Sequence, residues 1–395
     1  MYSYFKLLSK VGVNQVVNAS ISLFMMYYSA RLLSPEDFGN MRYVMSIIPI
    51  LMALTLPTYD GIVLSSAPNR KKISLKSVTL VRMFGGLVGS LLLIFYSVYF
   101  NSDHSLDFYL FSVVIFLPFF DTCTSYKNYL ISIRLKIQAL SLFLYNKLAS
   151  LVIFLALSIF IYVFSIDPLW VFPLYLFSIS FPTVFINLAI LRRAFNKNNF
   201  KDLQVSDAIK TTFASCIATF AFSLDKILIH SNLGAEKLAL YAILIMFPLE
   251  IARMIDAFFP LFYRKLISSD INKNKFLLPK LLAIIFIISL LYVVFSYPLL
   301  PLVFGEYYTY DIIVVFFSSL MIVSGSLEYY CIQKFYALSK TSLYILYSFV
   351  SLVMVYLILK VALMLDDYSY VILGLFARQF FQSMFFLKYI SYLQR

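Results

Sequence analysis

The chain has 395 residues, of which 62% are hydrophobic and only 13% are charged. Soluble globular domains are nearer half apolar and a quarter charged, so this composition excludes a soluble enzyme, a secreted module and a disordered chain. The net charge of +13 would suggest nucleic acid in a soluble protein. In a membrane protein it is explained by basic cytoplasmic loops, and we expect no nucleic-acid partner.

Apolar runs of about 20 residues alternate with short polar segments along the whole chain. A segment in lipid must satisfy its own backbone hydrogen bonds, which favours helices over the short alternating strands of a barrel. The twelve predicted spans cover residues 12–33, 38–60, 77–100, 108–127, 140–163, 169–191, 208–231, 237–260, 279–302, 311–333, 341–361 and 369–391. We therefore predict an all-α polytopic membrane protein with about 12 transmembrane helices.

Basic and acidic residues occupy opposite sides of this predicted topology. Lys and Arg concentrate in alternate loops, for example at residues 70–76, 192–201 and 264–275. The intervening loops are acidic, as at Glu36 and Glu236. Since cytoplasmic loops carry the excess of Lys and Arg, both termini are predicted to be cytoplasmic. Two cytoplasmic termini require an even number of spans.

Two short hairpins suggest an internal repeat. The segment from Leu32 to Tyr43, LLSPEDFGNMRY, aligns with the segment from Asn232 to Ile243, NLGAEKLALYAI, at an offset of 200 residues. The alternative is chance similarity between short apolar sequences. A true repeat predicts two six-helix bundles, residues 1–200 and 201–395, related by a parallel pseudo-repeat, an arrangement used by transporters with a central cavity.

Three motifs carry a resemblance to a known family. The first is ARLLSPEDFGNMRYVMSI, Ala30 to Ile47, and the second is FSLDKILIHSNLGAEKLALYAI, Phe222 to Ile243. The third is LVFGEYYTY, Leu302 to Tyr310. In this order, over twelve spans, they resemble the Wzx-type O-antigen or polysaccharide flippases of the multidrug/oligosaccharidyl-lipid/polysaccharide (MOP) exporter superfamily. The second motif departs from the first by having Ala239 in place of Gly39.

The resemblance implies a V-shaped central cavity between the two bundles and a transport function in a bacterial inner membrane. The substrate would be an undecaprenyl-pyrophosphate-linked oligosaccharide, an O-antigen or capsule repeat unit for lipopolysaccharide or capsule assembly. It would pass from the cytoplasmic to the periplasmic leaflet by alternating access. The resemblance also implies membrane lipids, a polysaccharide polymerase and a chain-length regulator as partners.

Charged residues inside the predicted spans are the candidate site residues, because charge in lipid is costly and usually functional. The candidate cations for a pyrophosphate are Arg378, Arg253, Arg42 and Lys226. Arg42 and Lys226 lie about 6–8 Å inside the periplasmic ends of their spans, so the alternative is that they snorkel to the interface. Arg253 has an acid three residues away on either side, so the alternative there is a local ion pair.

Arg378 is the strongest candidate for a cation that faces the substrate. It lies about 14 Å into its span, near the midplane, with Gln379 and Gln382 beside it and no acid within four positions. Its planar fork of donors suits phosphate oxygens. The alternative is a structural pair with an acid on another helix, for which Asp121 is the first candidate.

Acidic residues within the spans are candidates for binding a coupling proton or Na⁺. These residues are Asp121, Asp225, Glu250 and Asp256. For Asp121 the alternative is a hydrogen bond between helices. Asp225 directly precedes Lys226, so we expect their side chains to lie on different helix faces. Asp60 and Glu328 lie towards cytoplasmic span ends, where we expect them to face water.

Enzyme motifs are absent from the sequence. There is no Gly-rich phosphate loop, no paired-carboxylate loop, no Ser-His-Asp arrangement and no Cys/His cluster, so we expect no catalysis, cofactor or metal. Two alternative functions remain. One is a polytopic enzyme of polysaccharide synthesis, such as a polymerase or acyltransferase, although the short periplasmic loops argue against an external active site. The other is an ion-coupled small-molecule exporter of the same superfamily.

Overall fold

The structure is a computed structural model. It describes residues 2–55, 75–99, 106–119, 126, 136–193, 205–256, 277–337, 341–365 and 367–393. These residues form twelve α-helices and no β-strand. The helices are α1 (Tyr2–Leu32), α2 (Pro35–Met52), α3 (Leu75–Tyr99), α4 (Asp107–Phe116), α5 (Lys136–Val163), α6 (Val171–Arg193), α7 (Val205–Leu233), α8 (Ala235–Asp256), α9 (Leu277–Phe304), α10 (Ile312–Ala337), α11 (Thr341–Leu363) and α12 (Tyr368–Leu393).

Each predicted span overlaps one of these helices, so the all-α, twelve-helix prediction is confirmed. In the ranges that the structure describes, nine helices are long and apolar enough to cross a membrane. The other three are α1 and α7, which carry more polar residues, and α4, which has ten residues. The chain is a multi-pass membrane protein.

Helix ends follow from local sequence chemistry. Ser34 caps α2: its Oγ accepts from the backbone N–H of Asp37 at 3.1 Å and donates to the Asp37 carboxylate at 2.5 Å. Gly234 and Gly305 end α7 and α9 with φ angles of 88° and 111°, a conformation that glycine adopts without a steric penalty. These turns lie in the three motifs that carry the family resemblance.

The chain forms two compact units. The first unit contains Met1–Leu23, Ser34–Gly39 and Leu224–Arg395, and the second contains Phe24–Leu33 and Asn40–Ser223. In the first unit, α10 packs against α8, α9 and α12, and α11 packs against α12. In the second unit, α5 packs on α6 and α4 packs on α3 and α6. The predicted bundle boundary at residue 200 stays a prediction.

Burial within the first unit separates a polar interior from an apolar surface. Four serines of α10 are buried, namely Ser318, Ser319, Ser324 and Ser326. In contrast, α9 exposes large apolar side chains, including Phe286, Leu291 and Phe295. An apolar surface of this kind is suited to lipid, so the polar contacts that α10 makes with its neighbours lie away from the hydrocarbon.

Candidate functional site

A buried ion pair joins α10 and α12. Arg378 Nη1 donates to Glu328 Oε1 at 2.7 Å and to Ser351 Oγ of α11 at 2.9 Å. Arg378 is 5% exposed and Glu328 is 2% exposed. Two opposite charges held this far from solvent each depend on the other, because a single buried charge is strongly destabilising. The pair therefore fixes the relative positions of three helices.

Tyr347 of α11 and Ser383 of α12 extend the contacts of the pair. Tyr347 Oη donates to Glu328 Oε1 at 3.1 Å and lies 3.0 Å from Ser383 Oγ, where either atom is able to donate. Tyr347 is buried, and Phe335 and Phe386 pack edge-on to its ring. The Tyr347 hydroxyl thus links the Glu328 carboxylate to the Ser383 hydroxyl, beside the rings of Phe335 and Phe386.

Of the two glutamines beside Arg378, Gln382 bonds to the same network and Gln379 bonds to α10. Gln382 Oε1 accepts from Ser351 Oγ at 3.0 Å, and its Nε2 donates to the Tyr347 carbonyl at 2.7 Å. Gln379 Oε1 accepts from Ser324 Oγ at 2.8 Å. Gln382 therefore shares the Ser351 hydroxyl with Arg378, whereas Gln379 bonds to α10. We refer to Glu328, Tyr347, Ser351, Arg378, Gln382 and Ser383 as the buried charge network.

The structure corrects one expectation about the acids near Arg378 and does not describe two others. Glu328 was expected to face water at a span end, and this is wrong, because its side chain lies in the interior of the α10–α12 contact. Asp121, the first candidate partner of Arg378, lies outside the described residues, as does Asp60. The structure places Glu328 in the partner position, 50 residues from Arg378 in sequence.

The second cluster lies at the end of α8. Arg253 forms an ion pair with Glu250, three residues earlier, and its side chain is 58% exposed. This is the local pair that the sequence offered as the alternative to substrate binding. Asp256 accepts from Gln333 Nε2 of α10 at 3.1 Å. Tyr329 of α10 also interacts with Arg253. Polar side chains of α8 and α10 therefore contact each other along this part of the helix pair.

The third cluster joins α7 and α8. Lys226 Nζ lies 3.0 Å from both carboxylate oxygens of Asp225, and Tyr241 Oη donates to the same carboxylate. We expected the side chains of Asp225 and Lys226 to lie on different faces of α7. This is wrong for their charged groups, which form an ion pair. Successive residues diverge by about 100° around a helix, but the flexible four-carbon stem of lysine spans that angle.

Arg42 belongs to the second unit. Its Nη1 is 3.6 Å from Met26 Sδ, and the side chain is half-buried. The same unit buries Arg82 of α3 completely. Arg82 was not among the candidate site residues predicted from the sequence, and its position eight residues into α3 is the signal that could have found it. The substrate-binding and ion-coupling roles predicted for these charges stay predictions.

The turn after α9 contacts the hairpin between α7 and α8. Tyr307 Oη donates to Glu236 Oε2 at 3.3 Å, and Tyr310 Oη donates to the Leu240 carbonyl at 2.9 Å. Partial burial and the Glu236 carboxylate together raise the pKa of Tyr307, so its hydroxyl stays a donor to that carboxylate. No group of three or more His, Cys, Asp or Glu in the described ranges is placed to hold a metal ion.

Sequence comparison identifies the family. The family described as polysaccharide biosynthesis protein matches residues 9–265, which is well over half of the chain. The chain belongs to this family. The resemblance drawn from the three motifs is therefore confirmed at the family level. No curated protein matches the chain by sequence.

Solved structures identify the fold of this polysaccharide biosynthesis family member. A MOP superfamily transporter from Pyrococcus furiosus, whose binding pocket is described as having reverse polarity, matches with a TM-score of 0.66 at 13% identity, over 98% of this chain and 95% of that chain. An inward-facing multidrug resistance MATE transporter matches with a TM-score of 0.64 at 14% identity, over 96% and 98%. A Vibrio cholerae MATE transporter matches with a TM-score of 0.61 at 14% identity, over 99% and 95%.

The family and the fold together give the class of function. The polysaccharide biosynthesis family and the MOP fold indicate a membrane transporter rather than an enzyme. Identities of 12–15% to the solved transporters establish the architecture alone. The substrate has to be argued from the family and from the charges of this chain.

Proposed function

We propose that the protein is a flippase for an undecaprenyl-pyrophosphate-linked oligosaccharide. It moves an O-antigen or capsule repeat unit from the cytoplasmic to the periplasmic leaflet of a bacterial inner membrane by alternating access between two six-helix bundles, residues 1–200 and 201–395. Both termini are cytoplasmic. The observation that supports this most directly is the match to the polysaccharide biosynthesis family over residues 9–265, in a chain with the fold of MOP transporters.

Physical chemistry gives the task that such a protein performs. A hydrated sugar and a charged pyrophosphate cannot cross the hydrocarbon core unaided, whereas the apolar prenyl tail dissolves in it. The protein has to offer polar groups and cations to the head group while the tail stays outside. Arg378, Arg253, Arg42 and Lys226 are the cations that we propose for this purpose, and Asp121, Asp225, Glu250 and Asp256 remain the proposed ion-coupling acids. The polymerase and the chain-length regulator are proposed partners.

A second candidate is an ion-coupled exporter of small molecules. It is favoured by the similarity in fold to multidrug resistance MATE transporters. A cationic drug requires acidic groups in its path, and the Asp225 carboxylate is such a group. However, Lys226 neutralises Asp225 and Tyr241 donates a hydrogen bond to it, which argues against this carboxylate as the binding group for a cationic drug.

The experiment that tests the proposal measures flipping directly. Purified protein in liposomes should move a prenyl-pyrophosphoryl oligosaccharide between leaflets without hydrolysing nucleotide. Deletion of the gene should abolish surface polysaccharide while lipid-linked repeat units still form on the cytoplasmic side. Undiminished surface chains, in a strain without a second flippase gene, would refute the proposal. Export of cationic dyes without lipid flipping would support the second candidate.

A further inference from the structure

The turn between α9 and α10 gathers tyrosines that the transport steps proposed above do not use. The third sequence motif forms this turn and places Tyr307, Tyr308 and Tyr310 within four residues. Tyr368 begins α12, and its hydroxyl interacts electrostatically with that of Tyr307. Tyr310 interacts in the same way with the other three tyrosines. We refer to Tyr307, Tyr308, Tyr310 and Tyr368 as the tyrosine cluster.

Local hydrogen bonds and ring packing hold the turn in place. The Gly305 N–H donates to the Pro301 carbonyl at 2.9 Å, and the Tyr308 N–H donates to the Gly305 carbonyl at 3.0 Å. The Tyr308 side chain is 3% exposed, and its ring packs edge-to-face with those of Phe304 and Tyr307. The cluster is therefore preorganised, so a ligand can bind there without first ordering the turn.

Two groups beside each other in this region are open to a ligand. Tyr307 is 45% exposed, and Glu236 of the hairpin between α7 and α8 is exposed as well. The 3.3 Å from Tyr307 Oη to Glu236 Oε2 is long for a hydrogen bond between oxygens. A carboxylate has about four lone-pair sites, so Glu236 is able to accept from further hydroxyl groups. The surface thus presents an aromatic ring next to a strong acceptor.

The Tyr308 hydroxyl is a buried polar group with no hydrogen-bond partner among the described residues. The large majority of buried side-chain polar atoms have such a partner. The Tyr308 hydroxyl interacts electrostatically with the hydroxyls of Tyr307 and Tyr310, so it is directed into the cluster. Exposed side chains such as Tyr307 change rotamer rapidly. When Tyr307 turns outward, a hydroxyl group of a ligand is able to reach Tyr308.

We propose that the tyrosine cluster binds a sugar ring of the oligosaccharide head, with the ring stacked on Tyr307 and its hydroxyls bonded to Glu236 and Tyr308. This rests on the proposed function, because the substrate has to carry sugars. A pyranose has a C–H face that packs on an aromatic ring, and its hydroxyls both donate and accept. A sugar therefore uses all three groups at once, whereas an organic cation uses only the ring and the carboxylate.

The position of the cluster separates sugar binding from pyrophosphate binding. Tyr368 precedes Arg378 by ten residues of α12, which corresponds to about 15 Å of helix. In the proposed topology the cluster faces the periplasm, whereas Arg378 lies near the midplane. The two parts of the head group are thus recognised by different residues, and their contributions to affinity can be measured separately.

The test compares two lipids, one with sugars and one without. The probes are the lipid-linked repeat unit that accumulates in the deletion strain and undecaprenyl pyrophosphate. Native mass spectrometry measures the affinity of the full-length protein for each lipid. Tyr307→Ala should lower the affinity for the repeat unit by up to about tenfold, because an aromatic contact is lost. Its affinity for undecaprenyl pyrophosphate should stay close to that of the wild type.

Tyr308→Phe distinguishes binding from structure. The substitution removes only a buried hydroxyl that has no partner in the described part of the chain, so the thermal unfolding temperature should stay the same or rise. The affinity for the repeat unit should nevertheless fall by about two- to tenfold. Tyr389→Ala is the matched control, since Tyr389 is 41% exposed near the other end of α12, and both affinities should be unchanged.

The outcomes separate this site from the flippase proposal. Unchanged affinities in Tyr307→Ala, or equal losses in Tyr307→Ala and Tyr389→Ala, overturn the sugar site. Loss of affinity for ethidium, a cationic dye, without loss for the repeat unit also overturns it. In each case, flipping of the repeat unit by the wild-type protein leaves the flippase proposal intact. A folded wild-type protein that neither binds nor flips the repeat unit overturns both proposals.

Discussion

Gly39 lies so close to Ala235 that a Cβ atom built on it would sit 1.9 Å from the Ala235 carbonyl oxygen. The two residues belong to the two hairpins that the sequence repeat aligns. The aligned residue of the second hairpin is Ala239, which is buried and carries a methyl group. The first hairpin therefore needs glycine at position 39 for a steric reason: the backbone of the second hairpin, at Ala235, occupies the space that a side chain would need.

Gly39→Ala should destabilise the protein, because the obstructing atoms are backbone and cannot move as a side chain can. We expect a loss of about 1–3 kcal/mol or more, seen as a lower thermal unfolding temperature in detergent and lower membrane abundance. Gly325→Ala is the control, since its Cβ would lie 3.2 Å from a single side-chain atom, Ala252 Cβ. Equal unfolding temperatures for the two variants would contradict the steric argument.

The helices of this fold could be predicted because each one corresponds to a single continuous apolar segment of the sequence. Apolar length and loop charge are local quantities, and they placed all twelve helices. The helix ends were less accessible. The apolar run of the first span starts at residue 12, whereas α1 begins at Tyr2. Helical hydrogen bonding continues past the hydrocarbon-facing segment, so hydropathy underestimates helix length at polar ends.

The orientation of the helices is a separate prediction from loop charge. Reporter fusions on the basic side should report cytoplasm, and fusions on the acidic side should report periplasm. The basic-side fusion points are Lys72, Lys136, Lys197, Lys273 and Lys340. The acidic-side points are Glu36, Asp103, Asp167, Glu236, Glu306 and Asp367. Matched fusions on either side of one helix serve as internal controls, and one robust reversal would break the twelve-span topology.

The candidate site was only half accessible from the sequence. Intramembrane charge identified Arg378, and its neighbours Gln379 and Gln382 were visible on the same helix. Its partner Glu328 was not, because a pairing between α10 and α12 depends on how distant helices pack. The i,i+4 spacing of Tyr347 and Ser351 places both on one face of α11, but without the packing nothing says that this face meets a charge.

Tyr241→Phe should destabilise the link between α7 and α8. The fully buried Tyr241 hydroxyl donates to Asp225, so its removal leaves a buried carboxylate with one donor fewer. We expect a loss of about 1–3 kcal/mol in unfolding free energy, measured by thermal unfolding. Tyr307→Phe is the matched control: it removes a tyrosine–carboxylate bond at an exposed site, where water replaces the donor. A Tyr241→Phe protein as stable as Tyr307→Phe would show that this bond contributes little.

Arg378→Ala should lower membrane abundance and abolish transport, for two separable reasons. Abundance should fall because Glu328 is left buried without its counter-charge, a state that costs about 3–5 kcal/mol. Transport should fall because the substrate loses its guanidinium. Adding Glu328→Gln to Arg378→Ala removes the stranded charge, so the double variant should recover abundance but not transport. Quantitative membrane immunoblots alongside complementation of surface polysaccharide distinguish the two effects.

Arg378→Lys provides the control for charge without geometry. It keeps a cation opposite Glu328, so abundance should stay close to that of the wild type. Its ammonium lacks the planar fork that binds a carboxylate and a phosphate side by side, so transport should be reduced. Two results would overturn the argument. Full complementation by Arg378→Ala at normal abundance would remove this residue from the mechanism. Restoration of both abundance and transport in the double variant would make the ion pair purely structural, since neither charge would then be needed for the substrate.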